Sequence, residues 1–238
     1  MKVTDSKKYK DNIETTTDIA SEEGKWSLLV PPNIPLLTTQ LDKEIVKHLW
    51  DCIEEAKKTG DSYNDRLAGN ISSSLEMKDK DDIFHKHIRT PVTRYVKDFL
   101  ATSAVSRNIF YEFKDVEAEV CIDKLWVNFQ RENEFNPVHE HSGVGSFVVW
   151  MDIPTYAKDQ HNLPISKRSN NPMASNFVFY YQNLTGEICE YRIFLNPGSK
   201  GAMLLFPATL QHCVYPFYDC DKERVSISGN LVYRRHSK

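Results

Sequence analysis

The sequence predicts a mainly β domain, a sandwich, jelly roll or barrel, with N-terminal helices packed on its sheet. From about residue 108 onward, short runs rich in Val, Ile, Phe, Tyr and Trp follow one another, separated by Gly, Pro, Asn and Asp. Many short strands without intervening helices are typical of these architectures. We expect one domain over residues 24–238, with a helical cover over about 40–105 and a β core over about 117–233.

The first third of the chain supplies the helices. Residues 1–23 are polar and predict a flexible N-terminal arm, and 26–30 predict a short strand. Apolar residues recur at helical spacing over 40–58, and Gly60 is suited to end this helix in the left-handed conformation. A second helix is predicted over 91–104, with its proline at the first helical position. The predicted strands are 117–122, 124–130, 137–142, 145–153, 177–182, 188–195, 201–206, 211–216 and 224–233.

Composition excludes several classes of protein. Of the 238 residues, 40% are hydrophobic, which argues against wholesale disorder. No apolar run approaches the ~18 residues of a membrane span, and the polar N-terminus lacks the apolar stretch that is typical of a signal peptide. The net charge of -3 gives no strong nucleic-acid signal. The five cysteines include no C-x-x-C pair, so we expect reduced thiols in a cytoplasmic protein without membrane partners. The oligomeric state is not predicted.

The histidines contain two H-x-H pairs. His85 and His87 precede the second predicted helix, and residues two apart on a helix point in different directions, so this pair is a poor chelate if helical. His139 and His141 fall in a predicted strand, where residues two apart share a face and can reach one ion. His212 lies at the start of a distant predicted strand and is a candidate third ligand. On spacing alone, a structural role for these histidines competes with metal binding.

The last predicted strand carries a polar face. Alternation places Arg224, Ser226 and Ser228 on one side, and Val225 and Ile227 on the other. A guanidinium is suited to bidentate carboxylate binding, so this face makes an anion site if it lines the barrel interior. The alternative is a solvent-facing arginine paired with a neighbouring carboxylate.

These residues together resemble the 2-oxoglutarate- and Fe(II)-dependent oxygenases, most closely those of marine phages and bacteria that are related to prolyl 4-hydroxylase-like enzymes. The resemblance covers roughly residues 120–232, and its joint spacing is more specific than any one part. Its motifs are WVNFQ at 126–130, FNPVHEHSG at 135–143, SFVVWMDIP at 146–154, PG at 197–198, LLFP at 204–207 and RVSISGN at 224–230.

The resemblance implies a double-stranded β-helix, the jelly-roll barrel of cupins. It implies that His139 and His212 bind Fe(II), and that Arg224 and Ser226 hold the distal carboxylate of 2-oxoglutarate. Asn128, with Gln130 on the same strand face, is a candidate for hydrogen bonds to 2-oxoglutarate or substrate.

One position departs from the superfamily pattern, in which the second ligand is Asp or Glu. Here that position is His141, which predicts a three-histidine site. Two alternatives remain: a bulged strand that brings Glu140 to the metal, or a position left to water. Three neutral ligands leave room for Zn, Ni or Cu to compete, so iron is implied by the resemblance rather than by the ligands.

The implied activity is hydroxylation of a C–H bond, with succinate and CO₂ as co-products. Three substrate classes stay open: a protein side chain, a nucleobase and a small metabolite. The polar segment 155–176 is interpreted either as a lid or substrate loop, or as a mobile loop without a role. Two other functions compete. One is a cupin-like metal enzyme that does not use 2-oxoglutarate, and the other is a non-enzymatic jelly-roll binding or virion protein. A phage-encoded protein would work in the host cytoplasm.

Overall fold

The computed structural model describes residues 16–21, 24–29, 34–96 and 118–235. The chain divides into two compact units, Met1–Ile34 and Pro35–Lys238. In the first unit, strands β1 (Thr16–Ser21) and β2 (Gly24–Leu29) pair antiparallel. The strand expected at 26–30 lies largely within β2. The predicted domain boundary after residue 23 stays a prediction.

The second unit contains two antiparallel sheets. The larger has the strand order β3-β10-β7-β12-β5-β4, and the smaller the order β6-β11-β8-β9. This arrangement confirms the predicted class, a mainly β jelly roll with helices on its sheet. Its elements are β3 (Leu37–Gln40), α1 (Lys43–Thr59), β4 (Ser73–Glu76), α2 (Ile83–Arg94), β5 (Ala118–Gln130), β6 (Asn136–His139), β7 (Gly145–Asp152), α3 (Ala157–His161), β8 (Phe177–Gln182), β9 (Ile188–Ile193), β10 (Ala202–Pro207), β11 (His212–Val214) and β12 (Arg224–Arg235).

The helices cover the outer face of the large sheet. Helix α1 buries Ile45, Leu49 and Ile53, which join one hydrophobic core with Val225 and Ile227 of β12. It ends at a left-handed residue with φ of 69°, Gly60, as the sequence predicts. Among the described residues, no helix combines the length and the apolar character needed to cross a membrane.

The prediction for the second helix is wrong at its start. Pro91 lies inside α2 and not at its first position. The helix begins earlier because the Asp79 carboxylate accepts the N–H of Phe84 at 3.1 Å and so satisfies a free donor of the first turn. Proline removes one helical hydrogen bond, and burial of the apolar face of α2 on the sheet offsets that loss. Residues 97–117, where the predicted helix would end, lie outside the described residues.

Two strands of the large sheet have no clear sequence signal. β3 pairs with β10, and β4 pairs with β5, so both are short edge strands. The separate strands predicted at 117–122 and 124–130 form one strand, β5. The strand stays continuous because a bulge opposite Asn230 and Leu231 of β12 accommodates Asp123, which has no partner in that register.

The inner face of the large sheet is polar where β12 runs between β5 and β7. Arg224 pairs with Gln130, and Ser226 pairs with Asn128 of β5. These side chains point toward the small sheet because Val225, between the two β12 residues, belongs to the opposite, core-packed face. The fold therefore encloses a polar surface between its two sheets.

Candidate metal centre and anion pocket

Three histidines meet at one end of the space between the sheets. His139 is the last residue of β6, and His212 is the first residue of β11, where the two are direct partners in the strand register. His141 follows two residues after β6. The nitrogen atoms that these rings offer lie within 4.8 Å of one another, and the ring centroids of His139 and His212 are 4.2 Å apart. Such a group can hold one metal ion.

Backbone carbonyls fix the orientation of two of these rings. Nδ1 of His139 lies 2.7 Å from the carbonyl oxygen of Pro137, and Nδ1 of His212 lies 2.9 Å from that of Leu210. A carbonyl oxygen only accepts, so both Nδ1 atoms carry the proton and donate. Nε2 of each neutral ring then keeps a lone pair, which is the tautomer that a metal ligand needs.

His141 reaches the group by a different route from the one that the sequence predicts. β6 ends at His139, so His141 does not lie on the strand with it. Its backbone N–H instead donates to the carbonyl of Ala208 at 2.8 Å, which ties this loop to the residues before β11. Glu140 is exposed and lines the same cavity. Among the described residues, the potential ligands clustered at this place are three histidines without a carboxylate.

Burial keeps the three imidazoles neutral. Desolvation is the main cause that lowers the pKa of His139, that of His141 to about 4 and that of His212 to about 2. The neighbouring ring of His139 lowers the pKa of the other two further. At neutral pH the lone pairs are therefore available, and binding a cation requires no loss of protons from the rings.

A buried guanidinium lies in the same cavity, which has a volume of about 220 Å³. Arg224 is 2% exposed, and burial lowers its pKa to about 10, so it remains charged. Its Nη2 donates to Oγ of Ser175 at 2.6 Å and to the Ser175 carbonyl at 3.2 Å, and Nη1 lies 3.4 Å from Oε1 of Gln130. Its Nε is buried without a hydrogen-bond partner. None of the ion pairs among the described residues involves Arg224. A bound anion would therefore stabilise this buried charge.

The walls between these two ends combine polar and aromatic groups. Ser226 and Asn128 line the cavity. Ser74 donates to Oδ1 of Asn128 at 2.8 Å, which leaves the amide N–H groups of Asn128 as donors. Phe177 stacks on His212 with centroids 5.4 Å apart, and Trp150 meets Phe177 edge-on at 5.9 Å. The cavity therefore suits a short molecule with an anionic end and a metal-binding end.

Ser175, whose two oxygens contact Arg224, is not among the site residues predicted from the sequence. It lies at the end of the segment 155–176, is fully buried, and has a φ of 69°, which is uncommon for a residue other than glycine. No motif marks this serine, because its role depends on a fold contact with a residue far along the chain.

In the part of the chain that the structure describes, two other groups of potential metal ligands lie outside this cavity. One contains His48, Cys52 and Asp79, and the other contains His85 and its neighbours on β5. Nε2 of His48 lies 2.7 Å from Oδ1 of Asp79, whose carboxylate also caps α2, so hydrogen bonding explains this first group. All five cysteines are free, as expected.

The region that builds this site is similar to a family of known proteins. Residues 124–230, from β5 to β12, match the model of a family described as "Putative 2OG-Fe(II) oxygenase". This region belongs to the 2-oxoglutarate/Fe(II)-dependent oxygenase superfamily. The protein is a 2-oxoglutarate-dependent dioxygenase by this membership, with Fe(II) and 2-oxoglutarate as its cofactors. No curated protein matches the chain.

Three solved structures resemble this oxygenase distantly. A prolyl-4-hydroxylase from Pseudomonas putida is 12% identical over 86% of this chain and 94% of its own, with a TM-score of 0.46. A Trichoplax adhaerens prolyl hydroxylase, solved with a peptide of hypoxia inducible factor, is 10% identical over 85% and 83%, with a TM-score of 0.47. A 2OG-Fe(II) oxygenase family oxidoreductase from Burkholderia pseudomallei is 13% identical over 84% and 86%, with a TM-score of 0.41. The family match carries the assignment.

Proposed function

We propose that this oxygenase hydroxylates a C–H bond of its substrate, holding Fe(II) with His139, His141 and His212 and the distal carboxylate of 2-oxoglutarate with Arg224. One observation supports this most: three neutral imidazoles and a buried, incompletely paired guanidinium line the same cavity. A metal and a dicarboxylate would satisfy both ends at once.

The donor set fits a divalent metal of the first transition series. Imidazole suits iron as well as Zn, Cu and Ni, so the residues alone do not select iron. The carbonyls behind His139 and His212 raise the basicity of their rings, which partly offsets the absence of a carboxylate ligand. The site lacks one negative charge compared with two histidines and a carboxylate, so we expect looser binding of hard cations.

The opposite end fits a carboxylate. Nε and part of Nη1 of Arg224 have no close acceptor, while Nη2 is held by Ser175. Ser226 and the amide of Asn128 lie on the same sheet face and provide further donors. A cupin-like enzyme without 2-oxoglutarate gives no account of this buried cation, which makes that alternative less favoured.

Each group has a separate task in the proposed reaction. When bound, Fe(II) and 2-oxoglutarate would let O₂ hydroxylate the substrate C–H bond, with one oxygen atom entering the new hydroxyl group and the other entering succinate as CO₂ is released. Arg224 binds and orients the co-substrate through its far end, so that its reactive end faces the histidines. Phe177 and Trp150 form the apolar wall that excludes water from this end. A protein side chain, a nucleobase and a small metabolite remain the substrate classes to search.

Anaerobic titration of the Fe(II)-loaded protein with 2-oxoglutarate tests this proposal. We expect a visible charge-transfer band, and succinate formation after O₂ is admitted. Arg224→Gln should weaken 2-oxoglutarate binding about 100-fold, because a buried charge-assisted pair is lost. Arg89→Gln, which changes an exposed arginine of α2, is the matched control and should leave binding unchanged. Folded, iron-loaded protein that gives no band and binds no 2-oxoglutarate would contradict the proposal.

A further inference from the structure

The geometry around Ser175 is the least expected part of the anion pocket. Its backbone φ of 69° is costly for a serine, because the Cβ crowds its own backbone in this region. In this conformation both the hydroxyl and the carbonyl oxygen face Nη2 of Arg224, at 2.6 and 3.2 Å. A strained residue that presents two acceptors to one buried cation is placed there by the structure around it.

The hydroxyl of Ser175 has a defined direction. A guanidinium only donates, so Oγ accepts from Arg224 with a lone pair. The proton of this hydroxyl remains available for Oγ1 of Thr155, which lies 3.2 Å away. Thr155 and Ser175 are both buried and stand near the two ends of the segment 155–176. The hydroxyl pair therefore joins the ends of this insertion directly beside Arg224.

The insertion is also clamped to the segment 215–218. Gln160 donates to the Tyr218 carbonyl at 2.9 Å and accepts its N–H at 2.8 Å, and the N–H of Ser175 donates to the Pro216 carbonyl at 2.8 Å. Phe217, in that segment, lies under the guanidinium of Arg224 at 5.0 Å. Ser175 and Phe217 thus approach the cation as parts of one hydrogen-bonded frame.

We propose that Ser175 is a positioning residue for Arg224, and that the insertion 155–176 thereby sets the affinity of the pocket for 2-oxoglutarate. Ser175 saturates Nη2 and leaves Nε of Arg224 for the incoming carboxylate. This inference rests on the proposed function. It gives the insertion a role that is neither that of a lid nor that of a mobile loop.

Two substitutions that remove the same hydroxyl separate positioning from folding. Ser175→Ala loses Oγ and keeps the cost of the positive φ, whereas Ser175→Gly loses Oγ and relieves that cost. We expect both variants to bind 2-oxoglutarate about tenfold more weakly in anaerobic calorimetry with Fe(II), which corresponds to about 1.4 kcal/mol. The metal-free glycine variant should melt at a higher temperature than the alanine variant. Ser166→Ala, a buried serine of the same insertion, is the control and should keep wild-type affinity.

The outcomes distinguish this inference from the proposed function. Ser175 variants that bind 2-oxoglutarate within twofold of wild type, while Arg224→Gln loses binding, would overturn the positioning role alone. Affinity that follows the melting temperatures of the two variants would also overturn it, because a purely structural role predicts that dependence. If Arg224→Gln binds 2-oxoglutarate with wild-type affinity, the proposed function is wrong in assigning this pocket to 2-oxoglutarate. Equal weakening with different melting temperatures supports the inference.

Discussion

His85 and His87 lie on the outer helix α2, whereas His139 ends β6 and His141 lies in the loop that follows, inside the mouth of the barrel. Both pairs have the same spacing. On α2 the two side chains diverge: His85 is partly buried, with its ring 3.4 Å from the Val120 carbonyl, and His87 is exposed. At the barrel the ring centroids of His139 and His141 are 5.0 Å apart.

This difference shows that spacing alone does not make a chelate. A helix turns about 100° per residue, so side chains two residues apart point in nearly opposite directions. At the barrel, the register between β6 and β11 adds a third ring, His212, directly opposite His139. The candidate site therefore arises from strand pairing between distant parts of the chain, with the H-x-H pair supplying two of its members.

The largest expected effect is a difference in Fe(II) affinity between substitutions at the barrel site and a substitution on α2. His139→Ala and His212→Ala should each weaken Fe(II) binding at least about 100-fold, because each removes a ligand that a backbone carbonyl has already oriented. His87→Ala should leave the affinity unchanged. Anaerobic competition with a chromogenic chelator measures all three. If the His87 variant loses metal as well, the contrast between the helix and the barrel does not hold.

A smaller effect is expected within the barrel pair. His141→Ala should weaken Fe(II) binding about tenfold, since one of three ligands is lost while two oriented rings remain. Glu140→Ala, the change to the adjacent exposed carboxylate, should have little effect on the affinity. His141→Asp should retain iron, because it produces the two-histidine, one-carboxylate set that non-haem iron centres favour. Loss of iron in the Glu140 variant, with retention in His141→Ala, would show that Glu140 and not His141 is the third ligand.

Strand alternation explains why much of the large sheet is predictable. Arg224 and Val225 lie on opposite faces of β12 as any extended chain requires, and runs of β-branched and aromatic residues mark β7 and β8. The short edge strand β3 lacks such a run and depends on its partner β10. Pairing with a formed neighbour decides its conformation more than its own sequence does.

The site was predictable to the extent that its members share a strand face. Alternation along the predicted strands marks His139 and His212 as candidate ligands, although their direct pairing depends on the strand order of the small sheet. His141 leaves the strand, and its position depends on a hydrogen bond to Ala208. Ser175 depends on a positive φ and a contact with Arg224, for which the sequence carries no local signal.

The smallest effect concerns the pH dependence of the metal-free protein. Folding lowers the pKa of His141 and His212 well below the ordinary value of about 6.5, so the unfolded chain binds more protons than the folded one as the pH falls. Their contribution to the free energy of unfolding is present above pH 6.5 and is lost as the pH falls below it. The loss is about 1 kcal/mol per buried imidazole for the first pH unit. Urea unfolding at pH 7.5 and 5.5 measures this loss.

Substitution of one histidine at the barrel and one on α2 sharpens that measurement. His212→Gln replaces the most strongly shifted imidazole with a group that does not titrate, so it should reduce the difference in unfolding free energy between the two pH values. His87→Gln, on the exposed face of α2, should leave the difference as in the wild type. A His212 variant whose stability depends on pH as steeply as the wild type would mean that other groups govern the acid limb. Saturating metal should raise the unfolding free energy at both pH values and leave their difference nearly unchanged, because His141 and His212 are already neutral in the folded protein over this range.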